Sequence, residues 1–413
     1  MIDAVASKSK QIAFYALTGF FFSLTFSIAL SQILMGVTIF FAAVALLSKE
    51  QRQYPAGFKW FYIWTALFVI WSLISSALGP TPIKSLLINK EEWLFFIIPL
   101  TAFLITDERK VRIMIAALAL SVLLVSLYAA FQHFTGLDLY HHEQLPAAPL
   151  FGYRVSGTFS NRLTFGDLFA VAAMLFLPVA SVVPPRKGKT ILYAVFVMAS
   201  LAVVFSYGRG PVLVLVSGII LYIIVFHRRK IWSLIAVVAV LAVLISILAP
   251  GILSGYERSV KKEWAGIHPS SRISIWKSAA RMAADHPFIG VGQGNFEEQF
   301  RNYRAPNSTK IFAHGHNDIL NIAAYEGIPG AVIYLGMWAA IVFLMLKKMK
   351  AVRKGTVLHG LMAGILMASL VFFMTSVYEA TFADEEVRQF LMALWGAFIA
   401  CAGMVKGREE LAD

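Results

Sequence analysis

Apolar runs of about 16 to 23 residues, separated by short clusters of charge, constrain this chain more than any other feature, since that length lets a helix cross a hydrocarbon core about 30 Å thick. Only helices and closed barrels satisfy their backbone inside lipid, and apolarity that is continuous rather than alternating favours helices. Hydrophobic residues make up 59% of the 413 residues and charged residues only 14%, against roughly a quarter in soluble domains. The sequence therefore predicts an all-α polytopic membrane protein.

We predict about twelve transmembrane helices in a single integral membrane domain, residues 1–413. The predicted spans are 11–30, 33–48, 60–79, 93–106, 113–134, 163–183, 190–207, 211–226, 231–249, 319–346, 357–377 and 389–405. No small-residue cleavage site follows the first run, so we expect a retained span rather than a signal peptide. A single cysteine, Cys401, excludes an intrachain disulfide and a cysteine-based metal site.

Short loops on one side of these spans carry most of the net charge of +13. By the positive-inside rule that side is cytoplasmic and holds both termini. This topology explains the charge, so no nucleic acid is expected as a partner. The basic residues on that side include Lys8, Lys10, Lys49, Arg52, Lys59, Arg109, Lys110, Arg112, Lys187, Lys189, Arg228, Arg229, Lys347, Lys406 and Arg408.

Two loops on the opposite side are long enough to carry function. Residues 135–162 form a medium loop, and residues 250–315 form a large, basic and partly helical one. In the large loop, Ser271 is placed to cap a helix that runs to about Ala284 and ends before Pro287.

The predicted loop helix has two distinct faces. Ile273, Trp276 and Ala280 fall on one of them, whereas Lys277 and Arg281 lie one turn apart elsewhere. The basic side either contacts lipid headgroups or phosphate, or is simply a solvated face.

The most informative motif is His316-Asn317 at the start of the tenth predicted span, followed by Gly327 and Gly330. An imidazole titrates near neutrality and is able to take a proton from a hydroxyl group, so His316 is a candidate general base. His314 offers the same chemistry, and an isolated histidine here could also be a headgroup-level residue satisfied by water. The two glycines, three residues apart, allow another helix to approach closely.

Arginines on the same side could bind an anion. Arg209 is the only charge in a very short turn between two apolar runs, where an arginine is costly unless it reaches water or meets an anion. Its planar fork suits bidentate phosphate contact. Arg154 and Arg162 lie before and at the start of the sixth span, and Arg272 begins the loop helix. Singly, each of the last three would be an ordinary surface charge.

Carboxylates also lie near this side. Asp167 and Glu326 either orient His316 or an arginine, or merely pair with one. An acidic cluster, for which solvation is the default explanation, consists of Glu379, Asp384, Glu385 and Glu386. No phosphate-binding glycine loop, dinucleotide fingerprint or HExxH motif is present, so a phosphate leaving group would be neutralised by arginine rather than by metal.

These motifs resemble those of the O-antigen ligase family, which is related to O-antigen polymerases and some protein O-oligosaccharyltransferases. The resemblance rests on three motifs. In the first, His316-Asn317 is followed after nine residues by Gly327 and after two more by Gly330. The second, Arg209-Gly210-Pro211-Val212-Leu213, is similar to an Arg-x-x-x-Leu element, and the third, which looks like the start of the family's large periplasmic loop, comprises Ser271-Arg272 to Trp276, His286-Pro287 and Gly290-Val291-Gly292. The ligase spacing favours His316, because a glycine follows His314.

The resemblance implies a GT-C-like fold that transfers a glycan from undecaprenyl diphosphate to a sugar hydroxyl of lipid A–core. The reaction would take place on the periplasmic face of the bacterial inner membrane, without metal or other cofactor, and direct displacement would invert the anomeric centre. His316 would be the general base. Arg209 and Arg272 would bind the diphosphate, supported by Arg154, Arg162, Asn317, Gly327, Gly330, His314, Glu326 and Asp167.

Other functions stay open at this point. A polymerase or a protein O-oligosaccharyltransferase would use the same donor, although one large and one medium loop favour a ligase over a polymerase with two large loops. A lipid-linked glycan transporter would have no chemistry and would carry ionisable groups near the bilayer midplane. The middles of the predicted spans are instead nearly free of charge.

Overall fold

Helices make up most of the structure, a computed structural model that describes residues 2–51, 54–55, 57–149, 151–185, 187–227, 261, 271–305, 308 and 310–409. In chain order the helices are α1 (Ile2–Ser23), α2 (Ile28–Ala45), α3 (Lys59–Leu78), α4 (Pro82–Ile88), α5 (Ile97–Leu104), α6 (Glu108–Thr135), α7 (Arg162–Val182), α8 (Lys187–Phe205), α9 (Arg209–Phe226), α10 (Arg272–Asp285), α11 (Phe296–Tyr303), α12 (Asp318–Met349), α13 (Val357–Thr375) and α14 (Glu385–Glu409), with 3-10 helices at Lys49–Gln51 and Asn89–Phe96. Within the medium loop, Leu137–Asp138 pairs antiparallel with Glu143–Gln144.

Three helices form the centre of the bundle. Most residues of α7, α13 and α14 are buried, whereas fewer than a third of the residues of α2, α8 and α9 are, as expected where helices face lipid. Helix α13 lies close to α7 because it carries small residues at the contact. A Cβ atom on Gly364 would lie 2.3 Å from the Leu175 carbonyl oxygen, so only glycine permits this approach.

The predicted all-α membrane architecture is confirmed in outline. Within the described ranges, nine helices are long and apolar enough to cross a membrane: α2, α3, α6, α7, α8, α9, α12, α13 and α14. They correspond to nine of the twelve predicted spans. The predicted span 231–249 lies outside the described residues, as does much of the predicted loop 250–315.

Two predicted spans differ from the structure. The first, 11–30, is replaced by α1, which begins earlier, includes charged residues in its first half and ends at Ser23. The predicted span 93–106 is not one regular α-helix, because a 3-10 helix leads directly into an α5 of only eight residues. Helix α5 by itself rises about 12 Å, less than the thickness of a hydrocarbon core.

Basic residues and the histidine motif lie at opposite ends of the bundle. At one end, the Lys10 ammonium donates to the Gln51 carbonyl oxygen at 3.4 Å, and Lys348 lies over the Phe58 ring. The other end, which we call the site end, holds the start of α12 and the loops that follow α1, α6, α8 and α13. Thr158 in the medium loop, for example, donates to the Thr25 carbonyl oxygen at 3.0 Å.

The predicted loop helix is confirmed as α10, and its ends follow from local chemistry. The Ser271 hydroxyl caps its start by accepting the Ser274 backbone N–H. The predicted apolar face is wrong, because α10 buries Ile275, Ala279 and Met282 and leaves Ala280 exposed. Helix α10 packs against α12 along that face, which holds Arg272 beside the site.

Candidate active site

His316 is held in place by three separate parts of the chain. Its backbone has a φ of 47°, in the left-handed region, immediately before the first turn of α12. Asn317 caps that helix through its side-chain oxygen and donates from its amide nitrogen to the Val377 carbonyl oxygen at 2.8 Å. The Trp276 indole of α10 donates to the His316 carbonyl oxygen at 3.0 Å. The imidazole therefore has a defined position at the site end.

A buried carboxylate, Glu379, joins His316 to Arg272. Its Oε1 lies 2.5 Å from His316 Nδ1, and its Oε2 accepts from Arg272 Nη2 at 2.8 Å. Arg272 Nε also donates to the Tyr378 carbonyl oxygen at 2.7 Å. Burial opposes ionisation of Glu379, but the hydrogen bond with His316 and the charge of Arg272 outweigh it and lower its pKa. Glu379 is therefore a carboxylate that accepts from both neighbours.

His314 lies against this arrangement without replacing His316. The two imidazole rings are 4.3 Å apart between centroids, and His314 Nδ1 is 3.7 Å from Glu379 Oε1, too far for a hydrogen bond. Burial and the neighbouring His316 lower the pKa of His314 to about 4. His314 is thus neutral at physiological pH and lines the site.

A divalent cation could in principle be held here. His314, His316 and Glu379 each offer one ligand atom, and these atoms lie within 4.8 Å of one another, a donor set that zinc accepts. However, the guanidinium of Arg272 is bonded to the same carboxylate and would repel a cation. This electrostatic conflict favours a site that works through hydrogen bonds, and the absence of a metal cofactor stays a prediction.

The other predicted arginines lie around the turn between α8 and α9. Arg162 Nη1 donates to the carbonyl oxygens of Ser206 and Tyr207, both at 3.1 Å, and so fixes the turn that precedes Arg209. Arg209 is exposed at the first position of α9. Both Arg154 and Arg209 are close enough to Arg162 for their charges to act on it. Three segments therefore contribute positive charge to one place.

Tyr378 links this basic cluster to the histidine. Its hydroxyl donates to Asp167 of α7. A Cβ atom on Gly210 would lie 2.1 Å from the Tyr378 ring, so the glycine after Arg209 lets the start of α9 approach this tyrosine. Because Arg272 donates to the Tyr378 carbonyl oxygen, Tyr378 lies between the turn that carries Arg209 and the Arg272–Glu379 pair.

Gly327 has a different role from the predicted one. With φ 76° and ψ 175° it interrupts α12, and a Cβ atom there would lie 2.2 Å from the Phe288 carbonyl oxygen. The close neighbour is therefore the loop after α10, whose Pro287 carbonyl oxygen accepts the Ile328 N–H at 2.8 Å. The expectation of a helix contact holds only at Gly330, where a Cβ atom would lie 3.3 Å from Trp71 of α3.

The carboxyl groups contact other residues than the sequence predicted. The Glu326 carboxyl group accepts from Ser72 and Gln293 rather than orienting His316, and Asp167 accepts from Tyr378. Solvation is the wrong explanation for Glu379, which is 5% exposed. In the sequence, Glu379 is one of several acidic residues in a loop on the same side as the arginines, and this pattern does not distinguish it from the other acids.

Asp384 is also part of the packed site end. Its carboxylate accepts from the Thr164 hydroxyl of α7 at 2.8 Å. Burial raises the pKa of Asp384 to about 7 even though this hydrogen bond favours the ionised form. Two members of the acidic cluster are therefore packed in the protein: Glu379 in the histidine site, and Asp384, which joins the last loop to α7.

Comparison with known proteins supports the same region. No curated protein matches the chain. A protein-family model described as O-antigen ligase matches residues 194–335, about a third of the sequence. The matched segment includes Arg209, Arg272 and His316, whereas Glu379 lies beyond it. It supports glycosyltransferase activity of the O-antigen ligase and polymerase kind in general. Residues 194–335 of this multi-pass membrane protein are therefore similar to the O-antigen ligase family.

Proposed function

We propose that this protein is an O-antigen ligase that moves a glycan from undecaprenyl diphosphate to a sugar hydroxyl of lipid A–core. The observation that carries the proposal is the hydrogen-bonded series His316–Glu379–Arg272 beside the cluster of Arg154, Arg162 and Arg209. This combination offers a base for a hydroxyl group next to positive charge for a diphosphate.

In the proposed reaction, His316 acts through the nitrogen that faces away from Glu379. Because the ionised Glu379 accepts the Nδ1 hydrogen, the lone pair is on Nε2. The acceptor oxygen attacks the anomeric carbon, the carbon–oxygen bond to the diphosphate breaks, and Nε2 takes the hydroxyl proton. The lipid diphosphate leaves with the bonding electrons, and inversion follows from this direct displacement.

The arginines have distinct parts in this proposal. Arg209, exposed at the start of α9, would contact the diphosphate, where the helix N-terminus also favours negative charge. Arg162 would mainly fix the turn before Arg209, because its guanidinium bonds to two backbone carbonyls of that turn. Arg272 would stabilise the leaving group while also orienting Glu379.

We further propose that the site end faces the periplasm and that both termini are cytoplasmic in the inner membrane. The separation of Lys10, Lys110 and Lys348 from the histidine motif supports this orientation under the positive-inside rule. To test the orientation, buried Cys401 is replaced by serine and a single cysteine is introduced at exposed Ala284. Spheroplasts with this variant are then treated with a membrane-impermeant maleimide, and labelling of intact spheroplasts would support the orientation. Labelling only after lysis would contradict this orientation.

The first test of function is transfer by the purified protein in liposomes. Undecaprenyl-diphosphate glycan, lipid A–core and EDTA are supplied, and the glycan is located on a gel. Glycan on lipid A–core supports a metal-independent ligase. A lengthened lipid-linked glycan would indicate a polymerase, and glycan on an added pilin-like protein would indicate an O-oligosaccharyltransferase. Normal transfer by well-folded His316→Ala or Arg209→Ala protein would contradict the assigned roles.

A further inference from the structure

A polar cavity of about 290 Å³ lies next to the histidine site. His314 belongs to its wall and separates it from His316, whose ring is 4.3 Å away between centroids. Most of the rest of the wall comes from the 3-10 helix before α5, from the loop before α11, from the first half of α12 and from the loop that leads into α14. The volume is near the lower limit of about 300 Å³ for small-molecule sites, which suits one sugar ring rather than a long glycan.

Carboxyl groups are the most numerous polar side chains in the wall of this cavity. Its wall contains five of them, but only one arginine, Arg388. The five are Glu91, Glu92, Asp318, Glu326 and Asp384. Arg388 is bonded to Glu92 at 3.0 Å and to the Glu91 carbonyl oxygen at 2.9 Å, so its charge is already paired.

Several buried polar atoms in the wall lack a partner within the described part of the chain. They are Asn89 Nδ2, Glu92 Oε2 and Glu326 Oε2, and these three residues are between 0% and 8% exposed. Buried polar groups in folded proteins are nearly always hydrogen-bonded, so these atoms indicate a ligand or water with hydroxyl groups. Because an amide nitrogen donates and a carboxyl group accepts, or donates when protonated, the ligand is expected to both donate and accept hydrogen bonds, as a sugar hydroxyl does.

Aromatic rings complete the wall. Phe68, Phe296, Tyr325 and Phe382 line the same cavity as the carboxylates. A sugar ring has hydroxyl groups at its rim and C–H groups on its faces, so it matches a wall that combines hydrogen-bond acceptors with apolar rings. A purely ionic ligand would not use the rings.

We propose that this cavity binds the acceptor sugar, the one whose hydroxyl is glycosylated, and that it selects a sugar without an anionic group. This inference rests on the proposed transfer reaction and names the chemical class of its acceptor. Here Gln293 and Asn89 would also contact the sugar hydroxyls, and His314 would separate the ring from the base while leaving a path for the reacting hydroxyl.

The two substrates differ in what they need around His316. The cluster of Arg154, Arg162 and Arg209 attracts the donor diphosphate, whereas the described wall of the cavity offers no unpaired cation, because its one arginine is bonded to Glu92. A phosphate or carboxylate on the acceptor sugar would be buried there at a cost in lost hydration. An uncharged sugar avoids this cost, so the two substrates cannot easily exchange places.

The test uses the full-length protein in detergent micelles and measures binding directly, so that it does not depend on glycan transfer. The probe is dephosphorylated core oligosaccharide, and a second probe carries a phosphate ester on its terminal sugar. Binding is measured by saturation-transfer NMR for wild type, Ala383→Trp and Ala313→Trp. Both alanines are exposed and line the cavity, so an indole there blocks it without disturbing the core. The matched control is Ala284→Trp, at an exposed position of α10 away from the cavity.

We expect both cavity variants to bind the unphosphorylated probe at least about tenfold more weakly, and the control to bind like wild type. Wild type should prefer the unphosphorylated probe by about tenfold or more. Equal binding by wild type and the two cavity variants, or no binding to wild type, would overturn the cavity assignment. Equal binding of both probes would overturn the selectivity.

Transfer is measured on the same preparations, which separates the two proposals. Wild type that binds the oligosaccharide but transfers no glycan would contradict the proposed function and leave the cavity assignment standing. Active wild type with an unchanged acceptor KM in both cavity variants would contradict the cavity assignment alone. The donor KM should be the same in all four proteins.

Discussion

His316 Nδ1 and Glu379 Oε1 lie 2.5 Å apart although the two residues are 63 positions apart in the chain. This contact fixes the orientation of the imidazole and supplies a negative charge next to it. An imidazolium that forms during proton transfer is stabilised by such a carboxylate, so Glu379 is expected to act on the reaction through His316.

Replacing Glu379 with glutamine should lower kcat for glycan transfer by about 10²-fold or more, since it removes the charge opposite the imidazolium while keeping the side-chain shape. Donor KM should change little. Steady-state transfer by purified protein of equal thermal stability checks this. Glu379→Asp should recover part of the activity, and Glu386→Gln, at an acid in the first turn of α14, should retain wild-type kcat. A Glu379→Gln enzyme within threefold of wild type would exclude the assigned role.

Arg272 should not tolerate lysine. Its Nε and Nη2 bond two different oxygens, of Tyr378 and Glu379, and a single ammonium does not reproduce this fork. We expect Arg272→Lys to lose at least about tenfold in kcat/KM, since each charge-assisted hydrogen bond contributes roughly 1.5–3 kcal/mol. Arg281→Lys, on an exposed position of α10, is the control and should be neutral. Comparable activity of the two variants would contradict the fork argument.

Gly327→Ala should destabilise the protein by about 2 kcal/mol or more, because the backbone there is left-handed and a Cβ atom would lie 2.2 Å from the Phe288 carbonyl oxygen. Thermal unfolding in detergent measures the effect as a fall in Tm. Gly36→Ala is the matched control, since Gly36 lies in α2 with open space around its Cβ position. That change should leave Tm equal or slightly higher. A Gly327→Ala protein as stable as the control would contradict the steric reason.

Asp384 should make stability depend on pH. Its pKa in the folded protein is raised to about 7, against about 3.9 when unfolded, so the folded state binds more protons between these values. Its contribution to stability is therefore present below about pH 4 and is lost as the pH rises to about 7. Tm measured from pH 4 to pH 8 should fall less steeply for Asp384→Asn than for wild type. Parallel curves would show that Asp384 does not titrate in this window.

Much of the fold could be predicted from local patterns. The runs that became α7 and α9 are continuous and apolar, and Ser271 capped α10 as expected. The sequence predicted 93–106 as one span, whereas the structure has a 3-10 helix followed by a short α-helix there. Composition does not distinguish the two cases, because both are apolar stretches of similar length. Length and hydropathy do not distinguish burial in protein from burial in lipid.

The sequence by itself determined the membrane class, the helix-capping chemistry and the candidate residues His316, Arg209 and Arg272, because each of these depends on neighbours close in the chain. Only the tertiary structure decided that Glu379 joins His316 to Arg272 and that Gly327 receives a loop rather than a helix. The physical reason is that the state of a carboxylate depends on the cations and donors packed around it. For Glu379 these come from 63 and 107 residues away, a distance at which the sequence carries no local signal.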